Sequence, residues 1–281
     1  MIDCKLDNLV IYVEAIEMER FELFRSRLDR AEEQGKVPPI RFTIGKGFSE
    51  YHYRLNVGQG GGAVTIGYKH NSARSSEKFY TMRVEFNPQK NQTFYEAFWD
   101  VFRETFSVET KRIKQLDLAF DIPVQKKKIF AFSLTGRQKS YFKDTLYFGS
   151  SGNTGRLKIY DKKAELDQQQ GVAIAEEHRT RIEYTLKFEE PMTLQFFSKA
   201  NLTINSEYEI VHLNEEKLSG EVKAAVLAIH HDWMKMSEFT RTTKNKIKSA
   251  IANMEKFDLD HAYINAQQKI IKEINSYLTT V

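Results

Sequence analysis

Apolar and polar residues change period along this chain, and the changes divide it into strands and helices. Residues 9–13 (LVIYV) form a continuous apolar run of strand length. Residues 17–34 carry apolar side chains at helical spacing, and Gly35 followed by Pro38 and Pro39 stops that helix. Residues 51–57 and 63–68 read as two strands joined by the glycine-rich turn 58–62, a hairpin. Residues 81–86 (TMRVEF) make another strand and residues 93–106 an aromatic, amphipathic helix. Further strands are expected at 114–122, 145–149, 157–160 and 179–188. Beyond Asn214 the pattern turns helical, over 215–239, 243–257 and 258–278. Val222, Val226, Ile229, Trp233, Ile247, Ile251 and Met254 recur there at the spacing of a packed face.

The two strand-rich stretches resemble each other. A glycine loop, VTIGYK and RVEF in the first match a glycine loop, LKIYDK and RIEY in the second. On that alignment Tyr68 corresponds to Tyr160, Glu85 to Glu183, and DNLVIYV to QLDLAFD. The pattern predicts an α+β fold: two duplicated βαβ-like units forming an antiparallel-rich sheet with covering helices, plus a C-terminal helical segment. The expected divisions are 1–110 for the first half, 111–212 for the catalytic half and 213–281 for the helices.

Composition narrows the class. In 281 residues there are 20 Phe and 13 Tyr against 5 Pro, enough for a substantial core and unlike a disordered chain. Cys4 is the only cysteine, which excludes an internal disulfide framework and a cysteine-rich zinc site. No apolar run is long enough to span a membrane and no signal segment is evident, so a cytoplasmic protein is expected. The net charge of +4 is unevenly spread: residues 111–187 hold 16 Lys and Arg against 9 Asp and Glu. Such a local basic excess suits a phosphate backbone, although an uneven solvated surface has the same composition.

Within that basic stretch lie carboxylates in unusual places. Asp117, Ala119 and Asp121 share one face of a strand whose other face carries Leu116, Leu118 and Phe120. Unpaired buried carboxylates are costly, so a cation, a basic side chain or water must compensate, or Asp121 simply ends the strand before Pro123. Glu183 raises the same question; it is either a metal ligand or half of a cross-strand Arg–Glu pair. Tyr160 precedes Asp161, Lys162, Lys163 and Glu165. A free tyrosine ionises near pH 10, and a neighbouring lysine or cation would make it a better nucleophile. The bland alternative is a core tyrosine before an ordinary charged helix. No histidine pair has metal-binding spacing and no HExxH run occurs, so any metal site must be mainly carboxylate, favouring Mg²⁺ or Mn²⁺. The glycine loops match no nucleotide-binding pattern, which argues against ATP binding. Lys126, Lys127, Lys128, Arg137, Lys139 and Lys143 form a basic track that could hold a nucleic-acid strand.

LDLAFD, TLYFGSSGNTGRLKIYDKKAE and RTRIEYTL, in that order over residues 110–190, resemble the Rep_trans group of rolling-circle plasmid replication initiators, found on small staphylococcal plasmids. The resemblance is looser over 1–110 and carries no motif after 200. It implies an initiator dimer that binds a hairpin at the double-strand origin, nicks a single-stranded site by metal-dependent tyrosine transesterification, and recruits a host helicase. The products are a 5′-phosphotyrosyl link and a free 3′ hydroxyl. Carried over residue by residue, the nucleophile is Tyr160, assisted by Lys162. The metal ligands are Asp117, Asp121 and Glu183, and Arg181 contacts a phosphate. A conjugative relaxase with the same chemistry, or a non-catalytic DNA-binding protein of the same fold, shares these motifs.

Overall fold

The structure is a computed structural model that describes residues 2–45, 51–58, 62–70, 80–90, 95–150, 153–170, 178–199 and 203–279. The middle of the 58–62 turn, part of the 150–155 loop and the first two residues of the helix expected from 93 lie outside the described residues.

The first half comprises β1 (Asp3–Glu14), α1 (Met18–Glu33), β2 (Ile40–Ile44), β3 (Tyr51–Val57), β4 (Val64–His70), β5 (Tyr80–Phe86) and α2 (Glu96–Thr105). The second comprises β6 (Lys111–Ile122), β7 (Ile129–Ser133), β8 (Lys139–Phe142), β9 (Thr145–Phe148), β10 (Arg156–Asp161), α3 (Lys162–Gln170) and β11 (Thr180–Met192). Two short helices, α4 (Leu194–Phe197) and α5 (Ile204–Glu207), lead to β12 (Tyr208–His212), α6 (Gly220–His230), α7 (Arg241–Ala252) and α8 (Leu259–Leu278).

Ten strands form one antiparallel sheet in the order β2-β3-β4-β5-β1-β6-β11-β10-β9-β8. The order is palindromic: β1 and β6 lie together at the centre, and each is followed outward by a last, a next-to-last and two earlier strands of its own half. The α+β expectation and the duplication therefore hold, with each half contributing five strands. Every adjacent pair is antiparallel, and β1 and β2, joined through α1, run in the same direction with β5, β4 and β3 between them, so the first half is a split βαβ unit whose gap is filled by a meander.

Pairing register corrects the residue correspondence between halves. Glu183 stands opposite Ala119 and Lys158, whereas Glu85 stands opposite Val10 and Thr65. With Glu85 matched to Glu183, Arg83 matches Arg181 and Asn8 matches Asp117. The residue matching Tyr160 is then Gly67, which faces Arg83, and not Tyr68. Tyr68 points to the opposite face, is fully buried, and donates its hydroxyl to the Ile16 carbonyl at 2.9 Å. A one-residue offset in a strand exchanges its two faces, which is why matching by sequence letters misplaced this position.

The alternation expected for β6 is seen. Leu116, Leu118 and Phe120 are fully buried in the main core, with Leu9, Ile11 and Val13 of β1. Helices α1, α2 and α8 cover this face. Phe21 of α1 stacks on Tyr68 at 4.1 Å, and Trp99 of α2 lies 4.6 Å from Phe86 and 4.8 Å from Tyr277 of α8.

The C-terminal helices do not form one unit. Helix α8, capped by the Asp258 side chain, joins the main core through Leu259, Tyr263, Ile270 and Ile274. Helices α6 and α7 instead make a smaller core with β7 and β12, around Phe130, Val211, Val226, Ile247 and Ile251. The single helix expected over 215–239 is broken. Asp232 has φ +61° just past the end of α6, and Thr240 caps a new helix by accepting the Thr243 amide. Trp233, expected on a buried face, falls in that break and is 75% exposed.

Candidate active site

Strands β6, β10 and β11 turn their odd- or even-numbered polar residues onto the sheet face opposite the helices. Register places Tyr160, Arg181 and Asp121 in one row across the three strands. Lys158, Glu183 and Ala119 form the next row, then Arg156, Thr185 and Asp117. Above them lies a cleft of about 610 Å³ lined by Asp7, Asp117, Lys158, Tyr160, Lys162 and Glu183, among others.

The Tyr160 hydroxyl donates to Glu183 Oε1 at 2.6 Å. Lys158 pairs with the other oxygen of the same carboxylate. The ammonium groups of Lys158 and Lys162 each lie 5.8 Å from the centre of the Tyr160 ring. Burial and the adjacent Glu183 charge push the Tyr160 phenol well above its ordinary value. At rest this hydroxyl is therefore a protonated donor, and its carboxylate partner is positioned to receive the proton. Strand β10 ends at Asp161, whose side chain accepts the Ala164 amide at 3.0 Å and starts α3. Lys162 is thus the first residue of a helix, not a continuation of the strand. The turn brings its Nζ to Glu165 Oε2 at 2.6 Å and keeps it beside Tyr160.

Asp121 has another environment. Arg181 grips it from Nε at 2.7 Å and Nη2 at 2.8 Å, while Arg181 Nη1 reaches Asp7 Oδ1 at 3.1 Å. Burial alone would raise the Asp121 carboxyl, but the hydrogen bonds and charge of Arg181 overcome it and hold the group below its ordinary value. Asp121 and Arg181 are not among the residues that line the cleft.

Asp117 is the opposite case. Burial, aided by the charges of Glu183 and Asp7, raises it to about 6 despite a hydrogen bond from Thr185. Asp7 is raised as well, by burial first and by Glu183 next, against Arg181, Lys162 and Lys158. Asp7 was not singled out from sequence. It sits where the β1–β6 register shifts between Leu6 and Asn8, and the bulge turns it toward the cleft. A charged residue just before an apolar strand run was the one signal available.

Asp7, Asp117 and Glu183 supply hard oxygen donors, and the raised Asp7 and Asp117 carboxyls would be relieved by a cation, so the donor chemistry suits a divalent ion. Among the described residues, however, no three His, Cys, Asp or Glu side chains converge closely enough to hold a metal ion as they stand.

The basic track is dispersed. Lys143 lines the cleft, in a two-residue turn in which Lys143 (φ +44°) and Asp144 (φ +56°) both have positive φ, joining β8 to β9. Lys126 donates to the Asp144 carbonyl. Arg137 pairs with Glu207 at 2.9 Å, and Lys139 reaches the Ile229 carbonyl at 2.8 Å and Asp232 at 3.5 Å. Lys126 and Lys127 border a separate depression with His178, His230 and His231, while Lys128 lines neither hollow.

The first half retains the outline of the site without its chemistry. Glu85 pairs with Arg83 at 2.8 Å and accepts from Asn8 at 3.5 Å. Thr65 stands where Lys158 would be, Asn8 where Asp117 would be, and Gly67 where Tyr160 would be. The Tyr51 ring packs over Gly67 so closely that a Cβ there would meet it at 2.6 Å.

A tyrosine hydroxyl bonded to a buried carboxylate, with two lysines near its ring and further carboxylates beside it, is an arrangement with the groups that phosphoryl-transfer chemistry uses. Residues 104–211 match the Phage_CRI family, described as the N-terminal part of a replication-associated protein. The chain is similar to replication initiation proteins of Staphylococcus aureus. One is 27% identical over 185 residues, covering 63% of this chain and 56% of that protein. Another is 33% identical over 112 residues, covering 38% of this chain and 36% of the relative. The resemblance to replication initiators thus holds, and the chain spans just over half the length of the first of these relatives. A solved rolling circle replication initiator protein from Geobacillus stearothermophilus aligns over 100% of this chain and 99% of its own, with 14% identity and a TM-score of 0.39, too low to support a fold assignment. No helix among the described residues is long and apolar enough to cross a membrane.

Proposed function

We propose that this chain initiates rolling-circle replication of a plasmid by nicking one DNA strand with Tyr160. The observation that carries the reading is the 2.6 Å hydrogen bond from the Tyr160 hydroxyl to Glu183 in the cleft, with the Lys158 and Lys162 ammonium groups each 5.8 Å from the ring centre. Glu183 takes the phenolic proton as the oxygen attacks phosphorus. The bond from phosphorus to the 3′ oxygen breaks, and that oxygen takes a proton from water to become the primer hydroxyl. The phosphate stays on Tyr160 as a diester, so its energy is kept for rejoining. Lys158 and Lys162 offset the charge that grows on the phosphate oxygens.

A Mg²⁺ or Mn²⁺ ion is part of the proposal. Asp7 and Asp117, with Glu183, are the side chains that would hold it, and when bound it would polarise the scissile phosphate. Asp121 is already held by Arg181 and serves to fix that arginine behind the site. A second copy of the chain and a host helicase, both implied by the family resemblance, complete the proposal.

The test is incubation with a supercoiled plasmid bearing a hairpin origin and either cation. The expected product is a nicked circle with protein on its 5′ end, absent with Tyr160→Phe. Normal nicking by Tyr160→Phe would overturn the assignment and shift attention to Tyr147 or Tyr141.

A further inference from the structure

The sheet face that carries Tyr160 continues outward to the edge of the sheet. Lys158 on β10 faces Tyr147 on β9, and Tyr147 faces Ser140 on β8; Thr145 faces Phe142. Tyr147 lines the catalytic cleft and also a shallower depression of about 360 Å³ shared with Ser140, Phe142 and Arg156. Among the described residues, no carboxylate lines this second depression.

Three features of the strip go unexplained by the fold. Phe142 is 64% exposed on an edge strand, where an uncovered aromatic invites association. Arg156 lays its guanidinium 4.7 Å from the centre of the Tyr147 ring, and its buried Nε has no hydrogen-bond partner among the described residues. Lys143 lies 5.6 Å from the Phe142 ring. Flat rings beside cations are what a single nucleic-acid strand needs: a π-face for each base and a charge for each phosphate.

We propose that this strip holds the single DNA strand that flanks the scissile phosphate on one side, its bases stacking on Tyr147 and Phe142 and a phosphate meeting Arg156. The proposal rests on the nicking function above and adds the path of the strand. Two strand spacings, about 10 Å, separate β10 from β8, so the contacts fall within the first few nucleotides from the break. Continuity through Tyr147 and the positive charge select single-stranded DNA over an apolar protein surface.

The test uses the Tyr160→Phe protein, so that binding is read without cleavage. Fluorescein-labelled 15-residue oligothymidylate is titrated by anisotropy, with a duplex of the same length as control. Phe142→Ala is expected to weaken single-strand binding about fivefold to a hundredfold, the range for loss of one stacked base, with Phe142→Trp restoring it and duplex binding unmoved. Phe142 is exposed, so its loss leaves the core intact. Arg156→Ala should weaken binding further and flatten its salt dependence. Unchanged affinity in Phe142→Ala, an equal loss for duplex, or no single-strand binding by the parent would each overturn the proposal. Failure of the wild-type chain to nick, with this binding pattern intact, would overturn the nicking function instead.

Discussion

The Arg181 guanidinium meets the Asp121 carboxylate through two parallel hydrogen bonds, from Nε at 2.7 Å and Nη2 at 2.8 Å, with both side chains over 90% covered. The same arginine reaches Asp7 at 3.1 Å, so one buried cation ties β11 to β6 and to the bulge of β1. Removing one partner of such a pair leaves the other charged and unsatisfied. Asp121→Ala is expected to cost about 3 kcal/mol of stability, measured by urea unfolding. A variant with full stability but weakened cation binding would make Asp121 a metal ligand instead.

Glu183→Gln keeps the shape of the Tyr160 partner and removes its basicity. Nicking at neutral pH should fall by about 100-fold or more, the usual worth of a positioned base. Losing the negative charge also lowers the Tyr160 phenol from its raised value. The residual rate should therefore climb with pH as free phenolate accumulates. A variant whose pH–rate profile overlays that of the wild type would remove Glu183 from proton transfer.

Asp117 ionises at about 6 in the folded chain, against an ordinary value of 3.8. A carboxyl raised on folding binds its proton more tightly in the native state. Its contribution is thus present at low pH and lost as pH rises from about 4 to about 6. Without divalent cation, this group should lower stability on the order of 3 kcal/mol across that window. Asp117→Asn should flatten the decline in chemical denaturation measured at each pH.

Mn²⁺ or Mg²⁺ should reverse that penalty if the carboxylates hold a cation. At pH 7 the cation is expected to raise Tm in wild-type protein, and to do so much less in Asp117→Asn or Asp7→Asn. Differential scanning fluorimetry across a cation titration reads the difference. Identical shifts in all three proteins would place the cation elsewhere.

Gly67 is required by its neighbour. A Cβ at this position would lie 2.6 Å from the Tyr51 ring, and Tyr51 is buried. Gly67→Ala should destabilise by about 1 to 3 kcal/mol through overpacking. Tyr51→Leu should recover part of that loss in the double variant, a non-additivity visible in a thermal double-mutant cycle.

Much of this protein was legible in the order of its residues. The alternation LDLAFD placed two aspartates opposite a buried apolar row because strand side chains alternate whatever the fold around them. The glycine turns, the paired RVEF and RIEY strands, and the basic excess over 111–187 likewise follow from local chemistry, and the runs LDLAFD, TLYFGSSGNTGRLKIYDKKAE and RTRIEYTL carried the family resemblance. Tertiary structure decided which charges meet. Asp117 and Asp121 lie on one face of one strand, yet register sets Arg181 beside Asp121 and Thr185 beside Asp117. One carboxyl is therefore held low and the other pushed up. The bulge that turns Asp7 inward and the helix start that returns Lys162 to Tyr160 are likewise set by pairing and capping. So is the one-residue offset that matches Gly67, and not Tyr68, to Tyr160. Local sequence determines a strand's two faces; only its partners determine what each face meets.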